Sequence, residues 1–232
     1  MIKIGFVGAF DKTDVMIQIA KILTVAGKKT VVIDSTVNQK AKYVVPVINP
    51  TRTYITEFEG FDVAVGFKDF SGIKNYLLLE DYEELDYDIA LIDIDSSSIF
   101  EHFEMIDAKI NYFVTSFDLF SLKKGLEILS GLQESINMTK VLFSKTMAKE
   151  EDEYLNFLSN DYKIVWENTK IYFPFELGDQ SAIIEAQRVS KIKLKNLSTS
   201  YKDSLMFMAE QMIDGANAGT IKKVMKNIEK GA

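Results

Sequence analysis

The chain has 232 residues, 47% of them hydrophobic, with 12 Gly and only 3 Pro, which fits one α/β domain, or one such domain with a short appendage. It has no cysteine and a single histidine, His102, which excludes disulfides, Cys-ligated zinc or iron–sulfur centres and His-cluster metal sites within it. The formal net charge of -7 argues against nucleic-acid binding over the whole surface and leaves room only for a local basic patch. A cysteine-free composition suits a reducing, cytoplasmic setting. No run reaches the roughly 20 apolar residues that span a bilayer, and the first residues enter a strand with no leader pattern.

The first 34 residues set the frame. The apolar run Ile2 to Val7 reads as a buried strand, followed by a short loop from Gly8 to Lys12. Val15, Ile19, Ile22 and Leu23 then repeat at helical spacing, with Gly27 just beyond as a left-handed cap. Thr30 to Ile33 is a second strand, ending in Asp34. Strand, helix, strand is a βαβ unit, which predicts two parallel strands lying side by side.

The polar stretch Ser35 to Tyr43 reads as a loop with a short helical turn. Tyr43 to Ile48 is strand-like but carries Pro46, so it is an edge strand or none. Asn49 and Pro50 mark a turn, Phe61 to Phe67 is a further apolar run, and Phe70 to Tyr82 has room for a short helix. Ile89 to Ile94 is apolar almost throughout, apart from Asp93, as in a central strand buried on both faces. Ser98 to Lys109 reads as helical and Asn111 to Ser116 as a strand. Asp118 to Ile136 is an amphipathic helix with Leu119, Leu122, Leu126, Leu129 and Leu132 on one face and Asp118 as its cap. Lys140 to Lys145 is a strand and Glu150 to Leu158 a helix. Tyr162 to Trp166 and Lys170 to Glu176 are two further strand-like runs. Helices over Ser181 to Lys191 and Ser198 to Ile213 complete the body. Strands alternating with helices imply a three-layer α/β/α domain with a mostly parallel central sheet. Residues 1–213 form that domain, 214–220 a small polar linker, and 221–232 a separate tail.

A phosphate-binding loop needs glycines that let backbone N–H groups curl round the phosphates, a Lys for the outer phosphates, and Ser or Thr for Mg²⁺. The loop from Gly8 to Thr13 has Gly8, Lys12 and Thr13 in suitable places, where a strand gives way to a helix. The glycine expected before the Lys is Asp11, whose carboxylate repels phosphate. The alternative is that Asp11 caps the helix and Lys12 is solvated.

Taken together, the opening residues 1–34, Tyr87 to Asp93, Asn111 to Leu129, Val141 to Lys145 and Tyr172 to Ala186 resemble the ParA/MinD group of deviant P-loop ATPases, which includes TadZ/CpaE-type localisation proteins. The resemblance covers about residues 1–213 and implies a P-loop NTPase-like fold. It implies ATP or ADP with Mg²⁺ as ligands: Gly8, Lys12 and Thr13 at the phosphates, Thr13 and Asp93 at the metal, Asp34 after the second strand, and Ser144 and Pro174 beside the base. The departures are equally specific. The family's signature lysine, which reaches the nucleotide of a dimer partner, is replaced by Val7; loop glycines fall at Ala9 and Asp11; the second acid after Asp34 is Thr36; and the base-reading Asn is Ser144. Hydrolysis needs charge neutralisation and a positioned water together, so these losses imply a degenerate member with weak hydrolysis or none. Lys12, Thr13 and Asp93 favour nucleotide; Asp11 and Ser144 oppose it, so the chain has either a weak nucleotide cofactor or none.

The tail sets Ile221, Val224, Met225 and Ile228 on one face, and its four lysines against Glu229 give a charge of +3. Such a helix either lies on an anionic membrane, at the inner face, or is an ordinary segment that packs back on the body or frays at its end. Asp95 to Ser98 reads as a helix cap rather than a nucleophile, Glu80 to Asp88 as a solvated acidic connector, and Lys191 to Leu197 as a solvated basic face. Three functions follow: a homodimeric positioning or assembly protein working with partners in a larger bacterial machine, an active ATPase of partition or division-site placement, or a membrane recruiter acting through Ile221 to Ala232.

Overall fold

The computed structural model describes residues 1–48, 50–80, 83–144, 148–174 and 176–231. Its frame is an eight-stranded sheet in the order β3-β4-β2-β5-β1-β6-β7-β8. The strands are β1 (Ile2–Val7), β2 (Thr30–Asp34), β3 (Tyr54–Phe58), β4 (Phe61–Val65), β5 (Ile89–Ile94), β6 (Ile110–Thr115), β7 (Ile136–Leu142) and β8 (Ile164–Tyr172). All pair in parallel except β3 with β4. That hairpin turns through Glu59 at φ 54° and Gly60 at φ 93°, the two left-handed residues that a tight two-residue turn requires.

The side-chain period of two sends each strand's residues to opposite faces. Ile4 and Phe6 of β1, Val32 of β2 and Leu91 of β5 join one core, with helices α1 (Thr13–Val25), α7 (Leu177–Arg188), α8 (Thr199–Met212) and α9 (Ala218–Glu229). Val7, Val31, Ile33 and Ile92 join the other core, with α3 (Phe70–Tyr76), α4 (Ser97–His102), α5 (Leu119–Glu127) and α6 (Lys149–Leu158). The four-residue α2 (Ala41–Val44) follows the β2 loop. A helix on each side of a twisted parallel sheet is the three-layer arrangement expected.

Three expectations are corrected. Strands β1 and β2 are parallel but not adjacent, because β5 inserts between them, pairing Val7 with Ile94 on one side and Asp34 with Asp93 on the other. The continuous apolar character of β5 is what a strand between two neighbours needs. The helix expected from Asp118 to Ile136 ends at Glu127, and Ile136 opens β7. Leu129 nevertheless stays buried in the turn that follows, so the leucine repeat serves the core without being helical throughout. Parts of the two expected runs join in one strand, β8, which spans Ile164–Tyr172 at the sheet edge, where its polar middle can face water. For Tyr43 to Ile48 the second of the two stated outcomes holds: among the described residues the run forms no strand, Tyr43 lies in α2, and β3 takes the edge place. The ends of three expected segments, at Asn49, Tyr82 and Lys145, lie outside the described residues, as does Phe175 within a fourth.

The C-terminal helix packs back on the body. Ile221, Val224, Met225 and Ile228 are buried with α1 and α8 in the first core. Lys202 of α8 meets Glu229 at 2.8 Å, and Lys109 pairs with Asp214 in the connecting turn. The apolar stripe that a membrane would take up is therefore the packing face of α9, and its lysines face out. Ala232 lies outside the described residues. No helix among the described residues is long and apolar enough to cross a membrane.

Candidate functional site

The end of β1 delivers the chain to Gly8, whose amide donates to Ile94 O at 3.0 Å. Gly8 has φ 148°, and a Cβ there would sit 2.2 Å from Val114 O. This glycine is demanded by the close approach of β1 to β6, whatever the loop binds. The loop then opens into α1, whose first-turn N–H groups favour an anion.

Register explains which acids meet the loop. Asp93 of β5 and Asp34 of β2 are paired residues, and both follow, two residues on, side chains of the α1 core, Leu91 and Val32. Both acids therefore lie on the α1 face. Lys12 is turned inward, 3% exposed. Its Nζ donates to Gly8 O at 2.8 Å and stands 2.6 Å from Asp93 Oδ1. The solvated lysine of the alternative reading is thus corrected: β5 brings a buried carboxylate to it. Burial pushes the Asp93 carboxyl up to about 7, with Lys12 pulling it down and Asp34 pushing it further up. Lys12 Nζ and Asp93 Oδ1 thus form a buried ion pair.

The capping role read for Asp11 is corrected as well: Lys12 holds the cap position of α1 with no side-chain cap bond, and Asp11, one residue earlier, closes a local turn in which its Oδ1 accepts from Thr13 N at 3.2 Å. Its other oxygen pairs with Lys40, which also meets Asp14 Oδ2 at 2.5 Å. Asp34 is absorbed locally. It accepts from Thr36 N at 3.1 Å, Thr36 Oγ1 at 2.6 Å and Ala41 N at 2.9 Å, so the threonine in place of a second acid helps to tie the β2–α2 loop.

Two clefts meet over the loop. One, of about 390 Å³, is lined by Gly8, Lys12, Thr13, Lys40, Asp93 and Asp95, among others. The other, of about 440 Å³, shares Phe10, Asp11 and Lys40 with it and extends to Phe143, Pro174 and Tyr201. Phe10 packs on Phe143 with centroids 4.6 Å apart. Of the expected site residues, Gly8, Lys12, Thr13 and Asp93 converge on the first cleft and Pro174 on the second, while Ser144, just past β7, lines neither. Lys40, Asp95, Phe10 and Tyr201 were missed. Phe10 belongs to the loop itself and was passed over there as an apolar residue, whereas Lys40, Asp95 and Tyr201 lie far from the loop in sequence and only the crossing of β2, β5, α1 and α8 gathers them.

The residues fit a phosphate group and one Mg²⁺ in part. Thr13, Asp93 and the orphaned Oδ1 of Asp95 offer oxygen donors, and Mg²⁺ takes few protein ligands beside phosphate and water. Asp11 works against an anion, and its charge is matched inside the chain by Lys40.

Comparison with solved structures finds the same fold. The chain is similar to MinD in the MinC:MinD cell division protein complex of Aquifex aeolicus (TM-score 0.56, 13% identity, 97% of this chain and 96% of that one). It is similar to a ParA family ATPase from Chlorobium tepidum TLS (TM-score 0.57, 12% identity, 90% and 97%). It is also similar to a plasmid partition protein described as putative, from Borrelia burgdorferi B31, bound to AMPPNP (TM-score 0.54, 11% identity, 98% and 98%). No protein-family model matches the chain, and neither does any curated protein in sequence. Identities of this size establish fold: a mostly parallel sheet between helical layers, of the ParA/MinD P-loop NTPase type.

Proposed function

We propose that this chain is a positioning or assembly protein of a larger bacterial machine, built on a ParA/MinD-type fold. Its phosphate loop takes nucleotide weakly and hydrolyses it slowly or not at all. The observation that carries this reading is the state of the loop's charges. Lys12 is buried against Gly8 O and Asp93, Asp11 stands in the loop with its own counter-ion, and Val7 is buried in the opposite core, away from the cleft. Among the described residues, transition-state charge therefore meets few uncommitted cations, and hydrolysis depends on such cations.

The homodimer expected for this fold would form on the loop face. Val37, Tyr43 and Phe120 are 84%, 79% and 70% exposed there, on segments that follow β2 and β6. We place the protein in the cytoplasm, working with protein partners rather than with nucleic acid.

Binding of a fluorescent ATP analogue, with and without Mg²⁺, tests the reading together with ATP turnover. Weak binding and turnover no greater than that of Lys12→Ala are expected. Turnover that is substantial and abolished in Lys12→Ala overturns it in favour of a working ATPase. That second reading rests on Thr13 and Asp93 meeting at the same cleft, beside the orphaned Oδ1 of Asp95.

A further inference from the structure

We propose that Lys40 is a second phosphate-binding cation of this cleft, carried by the β2–α2 loop of the same chain, and that it reaches the ligand by leaving Asp11 and Asp14. The inference rests on reading the cleft as a phosphate site. Among the described residues, two ammonium groups line the 390 Å³ cleft, those of Lys12 and Lys40. They differ in commitment. Lys12 is buried and held by Gly8 O at 2.8 Å and Asp93 at 2.6 Å. The Lys40 side chain is 32% exposed, and its partners are the two carboxylates at the loop and the first turn of α1.

Those carboxylates can release it. Asp11 keeps its bond from Thr13 N at 3.2 Å, and Asp14 keeps one from Gln187 Nε2 at 2.8 Å. Neither anion is orphaned when Lys40 turns away, so no buried charge is left bare. The backbone need not move. Ala41 N is tied to Asp34 at 2.9 Å, so the reach comes from the four-carbon stem of the lysine, a mobile point charge suited to a terminal phosphate. An ammonium placed between Asp11 and an incoming phosphate also screens the repulsion that an acid in the loop creates. The acid in the loop and the lysine of the next loop thus form one device: Asp11 parks the cation that a phosphate takes up.

The test is titration of full-length protein with inorganic triphosphate and, separately, a fluorescent ATP analogue, by calorimetry and fluorescence. Lys40→Ala is expected to weaken both ligands by roughly ten- to a hundredfold, the loss of one charge-assisted contact. Lys40→Gln, which keeps a donor to Asp11 and Asp14 but no charge, is expected to lose as much, and Lys40→Arg to stay within a few-fold of wild type. Equal or tighter binding in folded Lys40→Ala and Lys40→Gln overturns the role of Lys40 and leaves the phosphate site standing; Lys40 is then only a latch. No binding by wild type or by Asp11→Gly overturns the phosphate site and Lys40 together.

Discussion

Replacing Ile221 by alanine asks whether α9 is part of the body or an appended tail. Ile221 has no exposed surface and packs with Val224, Met225 and Ile228 against α1 and α8. A buried isoleucine cut to alanine costs about 2–5 kcal/mol, from lost transfer energy and the cavity left behind. Full enclosure between three helices limits collapse of the site, which places the cost in the upper part of that range, about 3–4 kcal/mol. Against a total stability of about 5–15 kcal/mol this is a large share, and with an m-value of about 3 kcal/mol/M it moves the urea midpoint by about 1 M. Lys223→Ala, on the exposed face of the same helix, is the control and stays within about 0.5 kcal/mol. Urea unfolding followed by Trp166 fluorescence reads both variants. If Ile221→Ala costs less than about 1 kcal/mol, in step with the control, α9 is a frayed tail and the packing argument fails. In that case co-sedimentation with anionic vesicles should also fall in Ile221→Ala, whereas a packed α9 gives equal pelleting of wild type and variant.

Two further outcomes follow from buried charge. The Asp93 carboxyl is held at about 7, above its ordinary 3.8, so the folded state binds this proton more tightly than the unfolded one. Its contribution is fully present below about pH 4 and is lost as pH rises through about 7, a change of about 4 kcal/mol. Asp93→Asn should remove that slope from urea midpoints measured between pH 5 and pH 8, and a variant that keeps the wild-type slope refutes the assignment. In the second core, Lys140 is 2% exposed, bonded to Asp152 at 2.6 Å and Asn156 at 2.8 Å, and lies 4.8 Å from the Trp166 ring centroid. Asp152→Ala leaves that ammonium without its carboxylate and should cost about 3–5 kcal/mol, while Lys140→Met, which removes the buried charge itself, should cost far less. Thermal or urea unfolding of both variants checks this, and equal costs refute it.

Much of the architecture was legible because it depends on local pattern. The β1 run, the helical spacing of Val15 to Leu23 and the acid-ended strand over Asp93 identify elements whose periodicity survives in any setting. Gly27 at φ 87° ends α1 as its position suggested, with Lys28 N bonded back to Leu23 O at 3.0 Å. What failed to show was the order of strands. A βαβ unit is compatible with one strand inserted between its two, and the insertion of β5 depends on its pairing with β2, Asp34 with Asp93, and with β1, Val7 with Ile94, contacts between segments far apart in the chain. The extent of α5 was missed for a related reason: Leu129 is buried from a turn as well as it would be from a helix.

The site divides along the same line. Gly8, Lys12 and Thr13 are neighbours in sequence, so their convergence at the mouth of α1 follows from one strand, one loop and one helix. Whether Lys12 points to water or inward depends on Asp93, some 80 residues on, and only the pairing of β1 with β5 brings that acid beneath it. Likewise Asp11 looks in sequence like a defect in a phosphate loop, and becomes half of an ion pair once the β2–α2 loop folds Lys40 over it. The sequence by itself determined the layers, the helix-mouth loop and the amphipathic stripe of α9. Tertiary structure decided where that stripe is buried and which charge answers which, because burial and electrostatic pairing are properties of space between distant segments, and periodicity reports only on neighbours along the chain.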